Sequence, residues 1–188
     1  YKRGYRNVIN EAKRLNEAGI DCPLAIETSG HAAFRENHFL DDGMYLATVL
    51  ICEAMLLKQE GKELSSLIAD LTEPVESAEI RLDITDADFR AAGIAAIEKV
   101  MDHAAFAPGW HIAPDNREGV RINFDLDGGF TNAWFLLRLS VHDPVLALNI
   151  ESDVPGGARR IAADLLSVLD GAEGIDLGKL REYVGQTE

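Results

Sequence analysis

The pattern of apolar and polar positions divides this chain into a helix-rich first part and a strand-rich second part. In the first part the pattern predicts helices at 7–17, 43–59 and 64–71, with a buried strand at 23–27 and a polar loop at 28–39. In the second part it predicts strands at 78–84, 119–126, 133–140 and 145–151, with helices at 86–103 and 158–169. The chain therefore combines helices with a run of consecutive strands.

These elements predict two domains, at 1–72 and 73–188, because Thr72-Glu73-Pro74 interrupts the helical pattern. We expect a partial α/β domain followed by an α+β domain with a mainly antiparallel sheet and helices on one face. The helix at 43–59 is apolar on most sides, so we expect it to be packed on more than one face. The residues after 171 give mixed signals, and no element is predicted there.

Composition indicates a globular protein with an acidic surface: 47% of residues are hydrophobic, and the formal net charge is -14. Such a surface repels nucleic acid and anionic lipid, so we expect neither as a partner. The richest apolar stretch, 44–57, is too short to span a bilayer. The chain has two cysteines, which we expect to be buried free thiols in a reducing cytoplasm. A site for a phosphorylated ligand would have to concentrate the few cationic residues.

The first candidate site is the segment 27–31 (ETSGH), which directly follows a predicted strand. A carboxylate, two hydroxyls and an imidazole on one tight loop can form hydrogen bonds to several sugar hydroxyls, and Gly30 permits a close approach of the backbone. Taken alone, the segment is more often an ordinary strand-end turn, because Ser, Thr and Gly are common in loops for conformational reasons.

The second candidate site is the segment 138–144 (RLSVHDP), at the end of another predicted strand. Arg138 can grip a phosphate through two parallel hydrogen bonds, and Ser140 and His142 can each add a donor. Pro144 stiffens the exit of the loop. An exposed arginine in a surface ion pair is the simpler alternative for Arg138.

Taken together and in this order, the two segments resemble the α-D-phosphohexomutases of the phosphoglucomutase/phosphomannomutase type. The stretch 27–45 (ETSGHAAFRENHFLDDGMY) resembles the sugar-recognition loop and the Asp-Asp-Gly element of their third domain. The stretch 132–151 resembles their fourth domain, in which an Arg-x-Ser-x-Thr-Glu-Pro type loop holds the substrate phosphate. The opening Arg3-Gly4-Tyr5-Arg6 is similar to a Gly-aromatic-Lys element of the family. Departures are Arg6 in place of lysine, Thr28 in the variable position of the sugar loop, and His142-Asp143 in place of Thr-Glu.

The resemblance implies a C-terminal part of a Mg²⁺-dependent mutase that moves phosphate between the 1- and 6-positions of glucose or mannose. It implies that 1–72 is part of the sugar-recognition (third) domain and 73–188 the phosphate-binding fourth domain, with a phosphorylated hexose as ligand. The implied substrate-binding residues are Arg6, Glu27, Ser29, His31, Arg138, Ser140 and His142.

The resemblance also implies that the chemistry resides elsewhere in the protein. The family uses a phosphoserine in its first domain and an Asp- and Gly-rich metal loop in its second, and neither motif occurs in this sequence. We therefore expect no catalytic residue and no metal ligand in this chain, Mg²⁺ bound outside it, and the missing N-terminal domains of the same protein as partners. Asp125 and Asp127 flank a turn and are not expected to bind metal. The alternatives are a non-catalytic sugar-phosphate-binding module, an interaction domain, and a phosphoglucosamine mutase.

Overall fold

The computed structural model describes residues 4–27, 29–114 and 116–185. Among the residues singled out above, Arg3 and Thr28 lie outside the described residues. The chain divides into two compact units, Tyr1–Thr72 and Glu73–Glu188.

The first unit consists of helices around a two-stranded antiparallel hairpin. Its elements are helix α1 (Tyr5–Glu17), strands β1 (Leu24–Ile26) and β2 (Ala32–Phe34), a 3-10 turn (Arg35–Asn37), helix α2 (Gly43–Gln59) and a second 3-10 turn (Leu64–Ile68). One face of α1 packs on the hairpin, and the buried core of this unit is small. It consists of Ile9, Ala12, Ala25 and Ala33.

Helix α2 begins where the sequence predicts, because the side chain of Asp42 accepts a hydrogen bond from Tyr45 N and so caps the first turn. Its packing differs from the prediction. Leu57 is its one buried residue, whereas Ile51 and Met55 are 61% and 63% exposed. The expectation of packing on more than one face is wrong within the described residues, because strands of three residues present too little apolar surface to cover an all-round apolar helix.

The second unit is a five-stranded antiparallel sheet with three helices on one face. Its strands are β3 (Glu76–Asp83), β4 (Trp110–Ile112), β5 (Val120–Phe124), β6 (Ala133–Leu139) and β7 (Val145–Ser152), in the spatial order β3-β7-β6-β5-β4. Its helices are α3 (Phe89–Ala104), α4 (Gly157–Leu169) and α5 (Gly178–Gly185). Side chains such as Leu82, Phe135 and Leu148 fill the space between sheet and helices and are fully buried. On the opposite face, the alternate positions of β3 and β5 are polar, whereas those of β6 and β7 include apolar residues such as Trp134 and Ala147.

This architecture confirms the predicted fold class: helices with a short β hairpin, then an antiparallel sheet covered by helices on one side. Three short elements, β2, β4 and α5, were not predicted from the sequence, because elements of three to eight residues carry too few positions to establish a period. The helix predicted at 64–71 is only the 3-10 turn Leu64–Ile68. The side chain of Asp88 caps α3 by accepting a hydrogen bond from Ala91 N. Cys52 is exposed rather than buried.

Candidate functional site

The turn between β1 and β2 carries the predicted sugar-binding residues Glu27, Ser29 and His31. Glu27 N donates to His31 O at 3.0 Å, and Gly30 N donates to Glu27 O at 2.9 Å. Gly30 has φ 88°, a left-handed conformation that glycine adopts without strain. The turn therefore holds all three side chains on a short stretch of defined backbone.

Glu27 links this turn to the beginning of α1. One of its carboxylate oxygens, Oε1, accepts a hydrogen bond from Gly4 N at 2.7 Å, and the other, Oε2, lies 3.4 Å from Ser29 Oγ, which donates to it. A negative charge at the N-terminus of a helix is stabilised by the helix dipole. Glu27 therefore holds α1 in place and still has acceptor capacity for a ligand.

His31 lies between an aromatic ring and a carboxylate. Its Nδ1 is 2.7 Å from Asp41 Oδ2, and its ring stacks on the Tyr5 ring at 4.8 Å and 21°. Arg6 Nε donates to Tyr5 Oη at 3.0 Å, which places the guanidinium at the edge of the same group. The structure thus links all the predicted binding residues of the first unit through Tyr5 and Glu27.

Asp41 is a member of this site that the sequence analysis did not identify. The sequence analysis included it only as part of the Asp-Asp-Gly element, and of the two aspartates only Asp42 caps α2. Tyr45 N and Asn37 donate to the Asp42 carboxylate and hold its pKa below the usual value, so it remains a charged cap. The Asp-Asp-Gly element was the available signal, but the sequence could not show that its first carboxylate meets His31. We call Tyr5, Glu27, Ser29, His31 and Asp41 the turn cluster.

The second predicted site is the connection between β6 and β7. Arg138, near the end of β6, is half-buried, and its neighbours Leu137 and Leu139 face the helices, so its side chain lies on the opposite face of the sheet. Ser140 N donates to Val145 O at 2.9 Å, and Ser140 Oγ accepts from Asp143 N at 3.3 Å. Internal hydrogen bonds therefore close this loop, and His142 is exposed on it.

Two further arginines, both missed by the sequence analysis, contact the same loop. Arg90, in the first turn of α3, donates from Nη2 to Val141 O at 3.0 Å. Arg81 Nη2 of β3 lies 3.9 Å from Asp143 Oδ2. We call Arg81, Arg90, Arg138 and the residues 140–144 the arginine loop.

The strand register explains why Arg81 belongs to this group. Arg138 pairs with Ala147 of β7, and Ala147 pairs with Arg81 on its other side, so the two arginines flank a small side chain on one face of the sheet. Strands separated by one intervening strand lie about 10 Å apart. In an acidic chain, the two arginines add positive charge to this face, where Arg81 Nη1 also lies 3.9 Å from Glu79 Oε1.

Both aspartates of the β5–β6 turn contact neighbouring residues. Asp125 contacts His111 Nε2 at 3.2 Å and accepts from Thr131 N at 2.7 Å. Asp127 forms two hydrogen bonds with Arg160, whose guanidinium holds the pKa of Asp127 below its usual value. In the described part of the chain, no group of three or more His, Cys, Asp or Glu side chains is arranged to hold a metal ion.

No helix among the described residues is long and apolar enough to cross a membrane.

Comparisons with known proteins agree with the fold. Residues 1–75 match the family model described as phosphoglucomutase/phosphomannomutase, alpha/beta/alpha domain III. A phosphomannomutase/phosphoglucomutase of Pseudomonas aeruginosa is 30% identical over 150 residues, which are 79% of this chain and 28% of that protein. One of Pseudomonas putida is 30% identical over 151 residues, with the same coverage.

A solved structure extends this similarity over nearly the whole chain. The crystal structure of a phosphoglucomutase/phosphomannomutase family protein from Burkholderia thailandensis superimposes with a TM-score of 0.62 at 25% identity, covering 92% of this chain and 32% of that one. The chain thus spans less than a third of the length of the curated relatives it matches. The recognition made from the two sequence segments is confirmed: this chain belongs to the phosphoglucomutase/phosphomannomutase family and corresponds to a C-terminal part of such a protein.

Proposed function

We propose that this chain supplies the sugar-recognition and phosphate-recognition parts of a phosphohexomutase that interconverts the 1- and 6-phosphates of glucose or mannose. The proposal rests on one observation: a single chain of this family carries two chemically different sites. The turn cluster offers two carboxylates, a hydroxyl and an imidazole. The arginine loop combines Arg138, near the end of β6, with Arg90 and Arg81, which contact a loop closed by hydrogen bonds.

In the first unit, Glu27 and His31 are the groups proposed to contact sugar hydroxyls, and Ser29 adds a hydroxyl beside them. Carboxylate oxygens accept hydrogen bonds from hydroxyls, and two adjacent sugar hydroxyls can share one carboxylate. Arg6 lies at the edge of this group and is proposed to contact the substrate from there.

In the second unit, Arg138 is proposed to bind the substrate phosphate through a planar pair of hydrogen bonds, which a guanidinium forms and an ammonium does not. Ser140 and His142 are proposed as additional contacts from the loop. Arg90 holds the backbone of that loop through Val141 O, so its contribution to binding is one of positioning.

The chemical steps are proposed to belong to other parts of the whole protein. The phosphoserine and the Mg²⁺ loop that the family resemblance implies have no counterpart in this sequence. We expect the purified chain to show no turnover of glucose 1-phosphate, even with Mg²⁺ and a bisphosphate activator. Turnover by a preparation free of host enzyme would contradict this assignment.

The experiment that tests the proposal is a binding titration of the chain with glucose 1-phosphate and mannose 1-phosphate, with glucosamine 1-phosphate and inorganic phosphate as comparisons. We expect both hexose phosphates to bind more tightly than inorganic phosphate, because they contact sugar-binding groups as well as cations. A preference for glucosamine 1-phosphate would favour a phosphoglucosamine mutase. Equal affinity for all four ligands would contradict sugar recognition by this chain.

A further inference from the structure

His31 is held by three contacts, two of which involve its imidazole, and one ring nitrogen is left for a ligand. Its backbone carbonyl accepts from Glu27 N, its Nδ1 lies 2.7 Å from Asp41 Oδ2, and one ring face stacks on Tyr5. Among the described residues, Nε2 has no protein hydrogen-bond partner, and the side chain is 47% exposed. The nitrogen that faces solvent is therefore Nε2.

The contact with Asp41 determines which nitrogen of the neutral ring carries the proton. An ionised carboxylate can only accept hydrogen bonds, so the 2.7 Å contact requires a proton on Nδ1. A neutral imidazole has a single ring proton, and its other nitrogen is then an acceptor. With Asp41 in place, Nε2 consequently presents a lone pair to solvent.

The charges around His31 also favour a ligand that donates a hydrogen bond. The Tyr5 ring stacks on it, with Arg6 beyond the tyrosine, and the Asp41 carboxylate contacts Nδ1, while Glu27 and Ser29 lie on the same turn. Two carboxylates and a lone pair repel a phosphate oxygen, whereas a hydroxyl can donate to any of them.

We propose that Asp41 is a positioning residue that selects the Nδ1–H tautomer of His31, so that Nε2 accepts a hydrogen bond from a sugar hydroxyl and disfavours phosphate oxygens. This inference rests on the proposed function of the turn cluster as the sugar site. It adds the direction of the hydrogen bond, the residue that sets it, and the part of the substrate that this site accepts.

Nitrogen NMR of the 188-residue chain tests the tautomer directly, because protonated and unprotonated ring nitrogens resonate in well-separated regions. At about pH 8.5, where an ordinary imidazole is neutral, we expect the unprotonated resonance to be Nε2 of His31. Asp41→Asn should mix or reverse the two forms, because an amide can also donate to Nδ1. Asp42→Asn is the matched control: it removes the neighbouring carboxylate, which caps α2 and does not contact His31. A wild-type chain with its proton on Nε2, or equal effects of the two variants, would overturn the role of Asp41.

Two simple ligands separate this inference from the proposed function on which it rests. Methyl α-D-glucopyranoside should shift Nε2 of His31, inorganic phosphate should not, and Asp41→Asn should weaken glucoside binding about three- to ten-fold, as for one ordinary hydrogen bond. Asp42→Asn should leave that affinity unchanged. A larger shift with phosphate would overturn the inference alone. The wild-type chain could also show the expected tautomer while the glucoside perturbs no residue of the turn cluster. That result would contradict the sugar site itself, and the inference with it.

Discussion

The turn cluster and the arginine loop are supported by their units in different ways. The arginine loop connects two central strands of a sheet whose inner face is filled with fully buried side chains such as Phe135, Leu137 and Leu148. The turn cluster lies on a hairpin of three-residue strands above a core of four buried residues, and polar contacts join it to the beginning of α1 and to the segment before α2. A change in the arginine loop should therefore affect binding with little effect on folding. A change in the turn cluster should affect both.

The two regions also differ in the chemistry they offer. The turn cluster presents hydrogen-bond acceptors and negative charge, whereas the arginine loop presents donors and positive charge. A hexose phosphate has donors at its hydroxyls and negative charge at its phosphate, so each region matches one part of such a ligand. The following predictions test this difference, from the largest expected effect to the smallest.

Arg138→Lys should weaken the binding of inorganic phosphate and of glucose 1-phosphate by about 1–3 kcal/mol, because lysine keeps the charge but cannot form the planar pair of hydrogen bonds. Calorimetric titration measures the loss, and thermal unfolding should change little. Arg160→Lys is the control, since Arg160 is bonded to Asp127 on the β5–β6 turn. An equal loss of affinity in both variants would show that Arg138 does not contact phosphate.

Glu27→Gln should weaken glucoside binding and also reduce the free energy of unfolding of the first unit by about 0.3–1 kcal/mol, because it removes a negative charge from the N-terminus of α1. Denaturant titration followed by signals of the first unit measures the second effect. Glu17→Gln, at the opposite end of the same helix, removes an equal charge where the dipole disfavours it and should not destabilise the unit. Weakened binding of inorganic phosphate in Glu27→Gln would break the proposed division between the two regions.

Arg90→Met should weaken phosphate binding by about 0.5–1.5 kcal/mol, the usual contribution of one hydrogen bond, because the loop loses its tether at Val141 O. The amide signals of residues 140–143 should broaden or shift in the ligand-free chain, which a purely electrostatic effect would not cause. Arg181→Met removes the same charge from a pair with Asp170, outside the arginine loop, and serves as the control. Equal losses of phosphate affinity and equal amide spectra in the two variants would mean that Arg90 acts only through its charge.

Asp127→Asn should have the smallest effect and should alter stability only as a function of pH. Arg160 lowers the pKa of Asp127 in the folded chain, so the ionised carboxylate stabilises the fold above its unfolded pKa. That contribution disappears as the pH falls through the lowered folded value, below the ordinary 3.8. Between about pH 6 and pH 3, the midpoint temperature of thermal unfolding should therefore fall less steeply in the variant than in the wild type. Phosphate affinity at neutral pH should be unchanged.

The sequence was informative where a residue's neighbours along the chain determine its role. The strands that end at Ile26 and Leu139 were predictable to within one residue from local patterns, and the motifs at their ends identified the family. Asp41 was missed because its partner, His31, lies ten residues away and meets it only in the folded turn. Arg81 was missed because β3 pairs with β7, the last strand of the chain, and that order brings Arg81 beside Ala147. Roles that depend on strand order or on contacts between elements are not encoded in local periodicity.

Mapping two ligands onto the backbone amide signals of the wild-type chain tests the central claim most directly. The claim is that the turn cluster recognises sugar hydroxyls and the arginine loop recognises phosphate. Methyl α-D-glucopyranoside should perturb signals of residues 27–41, inorganic phosphate should perturb those of residues 138–143, and glucose 1-phosphate should perturb signals of both regions. Perturbation of residues 27–41 by inorganic phosphate, with no response at Arg138 or Ser140, would contradict the account.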